Sequence, residues 1–485
     1  MSLQSVEQLS LDFLARLPIK FEISSAPLST DAGLLPVRQF DEEIGLTERF
    51  ATALNDARDP SLTMQGNLVM VRQRIYGIIA GYEDQNDHDT LRSDPVFKLV
   101  ADRLPEGDDL ASQPTLSRFE NAVTIADLWR LRDTLVDDFL QSFTAPPLHV
   151  TLDTDAFDDP THGQQQLTFY HGYYEQHQYL PIAITCAEND AVVLVGLRHG
   201  TCHASLGVDD DLQYLVGRLR AVWPDVHIAV RADSGFATPL VYQTCDALGV
   251  TFTIGLGMNP RLKKLSEDLL EQALKQFAET QKPQRLFLPV EYQADSWAGP
   301  RPVVIKVEAN AQGTNRRAVV TNRLGWMVEP QATYEEYAAR GESENRNKEL
   351  KCELQSDRLS DHRFMANFFR LYLHAAALNL MVRLRQKVAL PEKTPAELGL
   401  HNPLPAEVLD EPDRKRFFNR RRERDPLGEG FACTWRTRLI KVAAEIIVSA
   451  RRVLIRLSGT WPHLDHFEYV TAAILGASPA AEPSG

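Results

Sequence analysis

Positive charge is what this chain has too little of for a simple polyanion binder. Lysine and arginine number 52 against 66 aspartates and glutamates, a net charge of -14. A protein that coats nucleic acid is normally basic, so any such role must rest on a local groove. Cysteine is also scarce. Cys186, Cys202, Cys245, Cys352 and Cys433 are scattered and form no C-x-x-C pair, which argues against a zinc site or disulfide framework and fits a reducing cytosol. No apolar run reaches the roughly 18 residues of a membrane span. The longest candidate, AAALNLMV, is soon followed by Arg383 and Arg385. The N-terminus MSLQSVEQLSLDF lacks the basic-then-apolar form of a signal peptide. Neither GLGMNP nor GVDDD has the glycine spacing of a phosphate-cradling loop, so ATP is not implied. What remains is a cytoplasmic globular protein, 44% hydrophobic and 24% charged. Its 485 residues exceed one ordinary core, so two to four domains are expected.

Residues 1–145 read as helices: VEQLSLDFLARL, TERFATALNDA, TMQGNLVMVRQRIYGIIAGY and DPVFKLVADRL carry apolar residues at helical spacing. From 146 to 257 the pattern turns to strands, expected at 148–155, 166–174, 178–187 and 191–198. A helix (DLQYLVGRLRAVW), a strand (HIAVRAD), a helix (TPLVYQTCDALG) and a strand (TFTIGL) follow. Hairpin-like strands followed by alternating helix and strand is the order expected of an RNase H-like α/β core. Residues 258–330 read as a β-rich insertion, with a long amphipathic helix from Asn259 to Gln281 and then RLFLPVEYQ, RPVVIKVEA and RRAVVTNR. The core resumes over 331–390, including an apolar helix from Asp361 to Lys387. A basic, helical C-terminal region (391–475) follows, with a final helix expected around Ile440 to Leu457. The small, polar tail 476–485 is expected to be disordered.

Three acids stand out against this frame. HVTLDTDAFDD alternates like a half-buried strand and ends in Asp153 and Asp155, which share one strand face. VHIAVRADSGF is a second strand ending in Asp233, just before a Ser-Gly turn. The segment TYEEYAARGESENRNKELKCEL holds Tyr337, Arg340, Glu344 and Lys351 in the pattern Y-x2-R-x3-E-x6-K. Read as one helix from about Glu335, it projects these four residues to one side. Two strand-end acids and a helix glutamate can converge at a sheet edge, and hard oxygen ligands of this kind hold Mg²⁺ or Mn²⁺. Asp155, nearer the strand end, is favoured over Asp153 as the first of them.

LDTD, RADSGF and the Y-x2-R-x3-E-x6-K helix, in that order, resemble the DDE transposases of bacterial insertion sequences, in the branch marked by that signature. The resemblance covers about Val150 to Leu354. One position departs from it: two residues after Asp155, where the family usually has a small hydroxyl residue, this chain has Phe157. The resemblance implies metal-dependent cleavage of DNA at terminal inverted repeats, then strand transfer into target DNA by a homodimeric synaptic assembly. Asp155, Asp233 and Glu344 become catalytic metal ligands, and Tyr337, Arg340 and Lys351 grip DNA near the scissile bond. Trp297, in ADSWAGP, has two readings of equal weight: an apolar anchor of the insertion, or a stacking partner for an extruded base. The rival classes are a domesticated DNA-binding protein and a nuclease without strand transfer. A basic cluster from Arg414 to Arg424 supplies the positive surface that the total charge lacks.

Overall fold

The computed structural model describes residues 10–11, 19–20, 24–389 and 430–477. The Pro-rich connection after the apolar helix, the basic cluster Arg414–Arg424 and the tail beyond 477 lie outside the described residues. So does most of the first expected helix. Ser10–Leu11, within it, pairs antiparallel with Ile19–Lys20. Of the other expected helices, Leu46–Ala53, Asn67–Ala80 and Pro95–Val100 form, and Gln113–Asn121 and Ile125–Gln141 join them. The last begins with a capping box in which Thr124 and Asp127 satisfy each other's backbone amides.

The centre of the molecule is an eight-stranded mixed sheet. Its strands in chain order are β1 (His149–Ala156), β2 (Ile182–Cys186), β3 (Val192–Gly196), β4 (His227–Ala232), β5 (Thr251–Leu256), β6 (Gln284–Tyr292), β7 (Arg301–Asn310) and β8 (Gly313–Thr321). Across the sheet they run β6-β7-β8-β5-β4-β1-β2-β3. β1, β4 and β5 are parallel, whereas β2 is antiparallel to both β1 and β3. Helix Val208–Val222 leads from the edge strand β3 into β4, and helix Pro239–Leu248 makes the crossover that the parallel neighbours β4 and β5 require.

The region read as an insertion is continuous with this sheet. β8 pairs antiparallel with β5, and β7 and β6 extend the ladder outward. Val303, Ile305 and Val307 join the same core as Ile254 and Phe252, while Val304 and Val319 on the other face pack on Tyr334. Two apolar faces on these strands demand cover on both sides, and the helix Glu267–Thr280 supplies it on one face and Tyr334 of the helix Pro330–Ala338 on the other. The amphipathic helix forms in two pieces, Pro260–Leu265 and Glu267–Thr280.

A second core joins the N-terminal helices to the 25-residue helix Phe364–Val388. That helix covers the edge strand β3. The buried Asn379 accepts from the Val192 amide at 2.8 Å and donates to the Val192 carbonyl at 2.9 Å, satisfying backbone groups that an edge would leave open. The final helix expected over Ile440–Leu457 is instead a hairpin, Ala444–Ser449 with Arg452–Leu457. EIIVSARRVLIRL places Ile446, Val448, Val453 and Ile455 inward at period two around a Ser-Ala-Arg-Arg turn, and β-branched residues favour that pleat. The helix of this region lies later, at Leu464–Ile474. Among the described residues no helix is long and apolar enough to cross a membrane.

Candidate active site

The first two acids are placed by strand register. β1 and β4 lie side by side and parallel, with Arg231 opposite Asp153 and Ala232 opposite Thr154. One residue further along, Asp233 leaves β4 beside Asp155. Neighbouring strands are about 4.8 Å apart, so two carboxylates enter one small volume. Asp233 is fixed there as the cap of a short turn, Ser234–Phe236, accepting the Gly235 amide at 2.8 Å.

Asp153 and Asp155 share a strand face and have different fates. Asp153 is almost fully buried and is gripped by the fork of Arg231 at 2.7 and 2.6 Å. Arg231 also donates to the Glu336 carbonyl at 2.9 Å, which ties this pair to the signature helix. Both oxygens of Asp153 are engaged. Asp155 accepts from its neighbour Ala156 at 2.9 Å and from Asn347 at 3.0 Å, with Arg340 Nη1 at 3.3 Å. Burial pushes its carboxyl up to about 6; Arg340 opposes that rise and the Asp233 charge adds to it. A buried acid held against a second acid is in a place where a cation is favoured.

The signature segment is broken where one helix was expected. Pro330–Ala338 ends just before Arg340, Gly341–Lys348 follows, and a wide five-residue turn, Glu349–Glu353, completes it. The break seats Arg340 between the acids: Nη2 donates to Glu344 at 2.7 Å while Nη1 faces Asp155. Glu344 itself stays more than half exposed, free to turn. Glu349 anchors the far end from a buried position, accepting from Arg346, from Arg385 and from the Ala432 amide, each at 2.7 Å.

Tyr337 lies flat against β5. A methyl group added at Gly255 would stand 2.6 Å from its hydroxyl and 3.1 Å from the Ser234 amide, so glycine is needed for this approach. Burial raises its phenol above the ordinary range. Lys351 is paired with Asp158 at 2.5 Å, and Asp158 also accepts from Gln176 at 3.2 Å. Trp297 is 7% exposed and stands edge-on to Tyr242 and Tyr292, with centroids 5.3 and 5.5 Å away. That packing makes Trp297 an apolar anchor of these strands in the free protein.

The structure therefore brings Asp155, Asp233, Arg340, Tyr337 and Glu344 together and ties Lys351 in through Asp158. Among the described residues, no three His, Cys, Asp or Glu side chains are already close enough to hold a metal ion. The donor type fits a hard divalent cation, and in the free protein Arg340 holds both Asp155 and Glu344. Sequence reasoning missed Asn347, Arg231 and the pairing of Asp158. Asn347 lies three residues after Glu344, on the same helical side, which is the one signal available.

The profile described as Transposase DDE domain group 1 matches residues 12–400. No curated protein matches the chain. Among solved structures, a cryo-EM structure of the piggyBac transposase synaptic complex with hairpin DNA is similar. It shares 13% identity, with 83% of this chain and 84% of that chain covered and a TM-score of 0.40.

Proposed function

The chain belongs to the DDE transposases, and from that premise we propose that it cuts DNA at terminal inverted repeats and joins the freed 3′-hydroxyl to target DNA. The observation that carries this reading is the meeting of Asp155 and Asp233 at adjacent parallel strand ends, with Glu344 linked to them through Arg340. The RNase H-like reading is supported by the order β3-β2-β1-β4-β5, with β2 alone antiparallel. DDE transposase domains generally use divalent metal ions. Here Asp155, Asp233 and Glu344 are the residues that would hold Mg²⁺, or Mn²⁺ in its place. When bound, such ions supply activation of the attacking hydroxyl and neutralise charge at the leaving oxygen.

The side chains around the acids have their own work. Asn347 and the Ala156 amide hold Asp155 in one orientation. Arg340 occupies the gap between Asp155 and Glu344 in the free protein. Once displaced, it presents five donors to the scissile phosphate, for which its planar fork is suited. Lys351 leaves Asp158 for a neighbouring phosphate in the same way. Tyr337 adds a hydroxyl contact from the floor at Gly255. Two ends cut in one event call for a synaptic assembly, most simply a homodimer acting on DNA in the bacterial cytoplasm.

A supercoiled plasmid carrying a pair of element ends tests the reading. Wild type should nick the ends and transfer them when Mg²⁺ is added. Asp233→Asn and Glu344→Gln should each abolish nicking while duplex binding stays largely intact. Full cleavage by either variant removes that residue from the site. Nicking without transfer favours a nuclease, and binding without nicking by wild type favours a domesticated DNA-binding protein.

A further inference from the structure

Next to the carboxylates stands a hairpin with an unusual surface. Phe169–His171 pairs antiparallel with Gln176–Tyr179, and Asp159–Pro160 adds a third short strand. The loop Gly172–Glu175 closes through the Glu175 amide on the His171 carbonyl at 2.8 Å, with Glu175 in the left-handed region. Tight turns favour Gly, Asn, Asp, Pro and Ser. This one carries Tyr173 and Tyr174 at its tip, with Tyr173 84% exposed. Phe169 and Tyr170 on the incoming strand are exposed as well. The rings brace one another: Tyr173 stands edge-on to Tyr174 at 5.0 Å, and His171 lies 5.0 Å from Tyr174 on its other neighbour side.

The hairpin meets the acid site just behind its tip, at the strand pair that flanks the loop. Gln176 donates to Asp158, the partner of Lys351. Burial raises the Tyr174 phenol, and the charge of Asp158 adds to the rise. The platform therefore adjoins the place where the scissile phosphate belongs under the function proposed above, on which this inference rests. Residues 169–179 contain no lysine or arginine and a single acid, Glu175. Such a surface is poorly suited to phosphates. It is suited to the π-faces of bases, which stack on exposed aromatic rings without regard to sequence. Except for Phe169, its rings carry a hydroxyl or ring nitrogens, so they tolerate water when nothing is bound.

We propose that the Tyr173–Tyr174 hairpin stacks the unpaired bases of the DNA strand flanking the cut, holding that strand away from its complement. The test is binding of the full-length protein, without divalent ions, to two fluorescent DNAs. One is a fully paired duplex and the other ends in three unpaired nucleotides. Wild type should prefer the frayed end. Tyr173→Ala and Tyr174→Ala should each weaken frayed-end binding by about tenfold, the scale of one lost stacking contact, and leave duplex binding unchanged. Tyr173→Phe and Tyr174→Phe keep the ring and should restore the preference. Equal loss on both DNAs, no loss on either, or a change of oligomeric state in the alanine variants would overturn the proposal. If wild type binds neither DNA, the DNA-cutting reading falls together with it; if wild type prefers the frayed end and the alanine variants keep that preference, the hairpin proposal alone falls.

Discussion

Replacing Asp155 by Asn should make the protein more stable at neutral pH while destroying the candidate site. The carboxyl is held at about 6 by burial, with the Asp233 charge adding to the rise, against an ordinary value near 4. A raised acid binds more protons folded than unfolded, so stability falls as pH climbs between those values. Below about 4 the acid is neutral in both states and carries no penalty. Above about 6 the penalty is complete, on the order of 3 kcal/mol for a shift of about two units. Asparagine imitates the neutral acid and escapes it. Urea melts at pH 7.5 should therefore show Asp155→Asn more stable by about 3 kcal/mol, at pH 5 by roughly half of that, and at pH 4 by almost nothing. Millimolar Mg²⁺ should raise the wild-type midpoint at pH 7.5 and leave the variant unmoved, because a ligand that binds only the folded state stabilises it. A variant less stable than wild type at pH 7.5, or a gain that does not change with pH, would refute the reasoning.

How much of this was readable beforehand depends on the range of the interaction involved. Strand alternation is local, so the ends of β1 and β4, and with them Asp155 and Asp233, were visible in LDTD and RADSGF. Their adjacency is not a local property: two strands of the sheet and a helix separate β1 from β4 in the chain, and the two meet only across the sheet. The difference between Asp153 and Asp155 is not readable from one strand, because Arg231 on the next strand pairs with Asp153. Helical spacing grouped Tyr337, Arg340 and Glu344, but the break that seats Arg340 is imposed by the acids it meets. The strands of 284–321 were evident from their β-branched runs. Their continuity with the central sheet was not, since edge-to-edge pairing leaves no periodic trace. The C-terminal hairpin shows the opposite failure. Its alternation was present in EIIVSARRVLIRL, and the absence of Gly, Pro, Asn or Asp at its turn disguised it as a helix.

Asp153→Asn should move stability opposite to Asp155→Asn. Burial raises the Asp153 carboxyl and Arg231 opposes that rise, but neutralising Asp153 leaves the buried Arg231 charge uncompensated, and breaking a buried pair this way costs about 3–5 kcal/mol, which outweighs the relief of burying one charge fewer and is read as a lower urea midpoint at pH 7.5. If Asp153→Asn instead abolishes nicking with unchanged stability, the metal ligand is Asp153 and the assignment is two residues off. The last prediction concerns how an acidic chain holds DNA. Arg420, Arg421 and Arg422 lie in the basic cluster between Arg414 and Arg424, outside the described residues, and the sequence makes that cluster the strongest candidate for the DNA path. Replacing all three by Ala should weaken binding to element ends and to random duplex alike, because phosphate contacts position a protein without reading sequence. Each lost contact also releases fewer counterions, so the salt slope of log affinity should shrink by about 0.9 for every arginine that touched a phosphate. The alternative is that the arginines pair with Glu411, Asp413, Glu423 and Asp425 on a solvated surface. Such pairs contribute little, and the triple variant would then keep both affinity and slope, which would remove this segment from the DNA path.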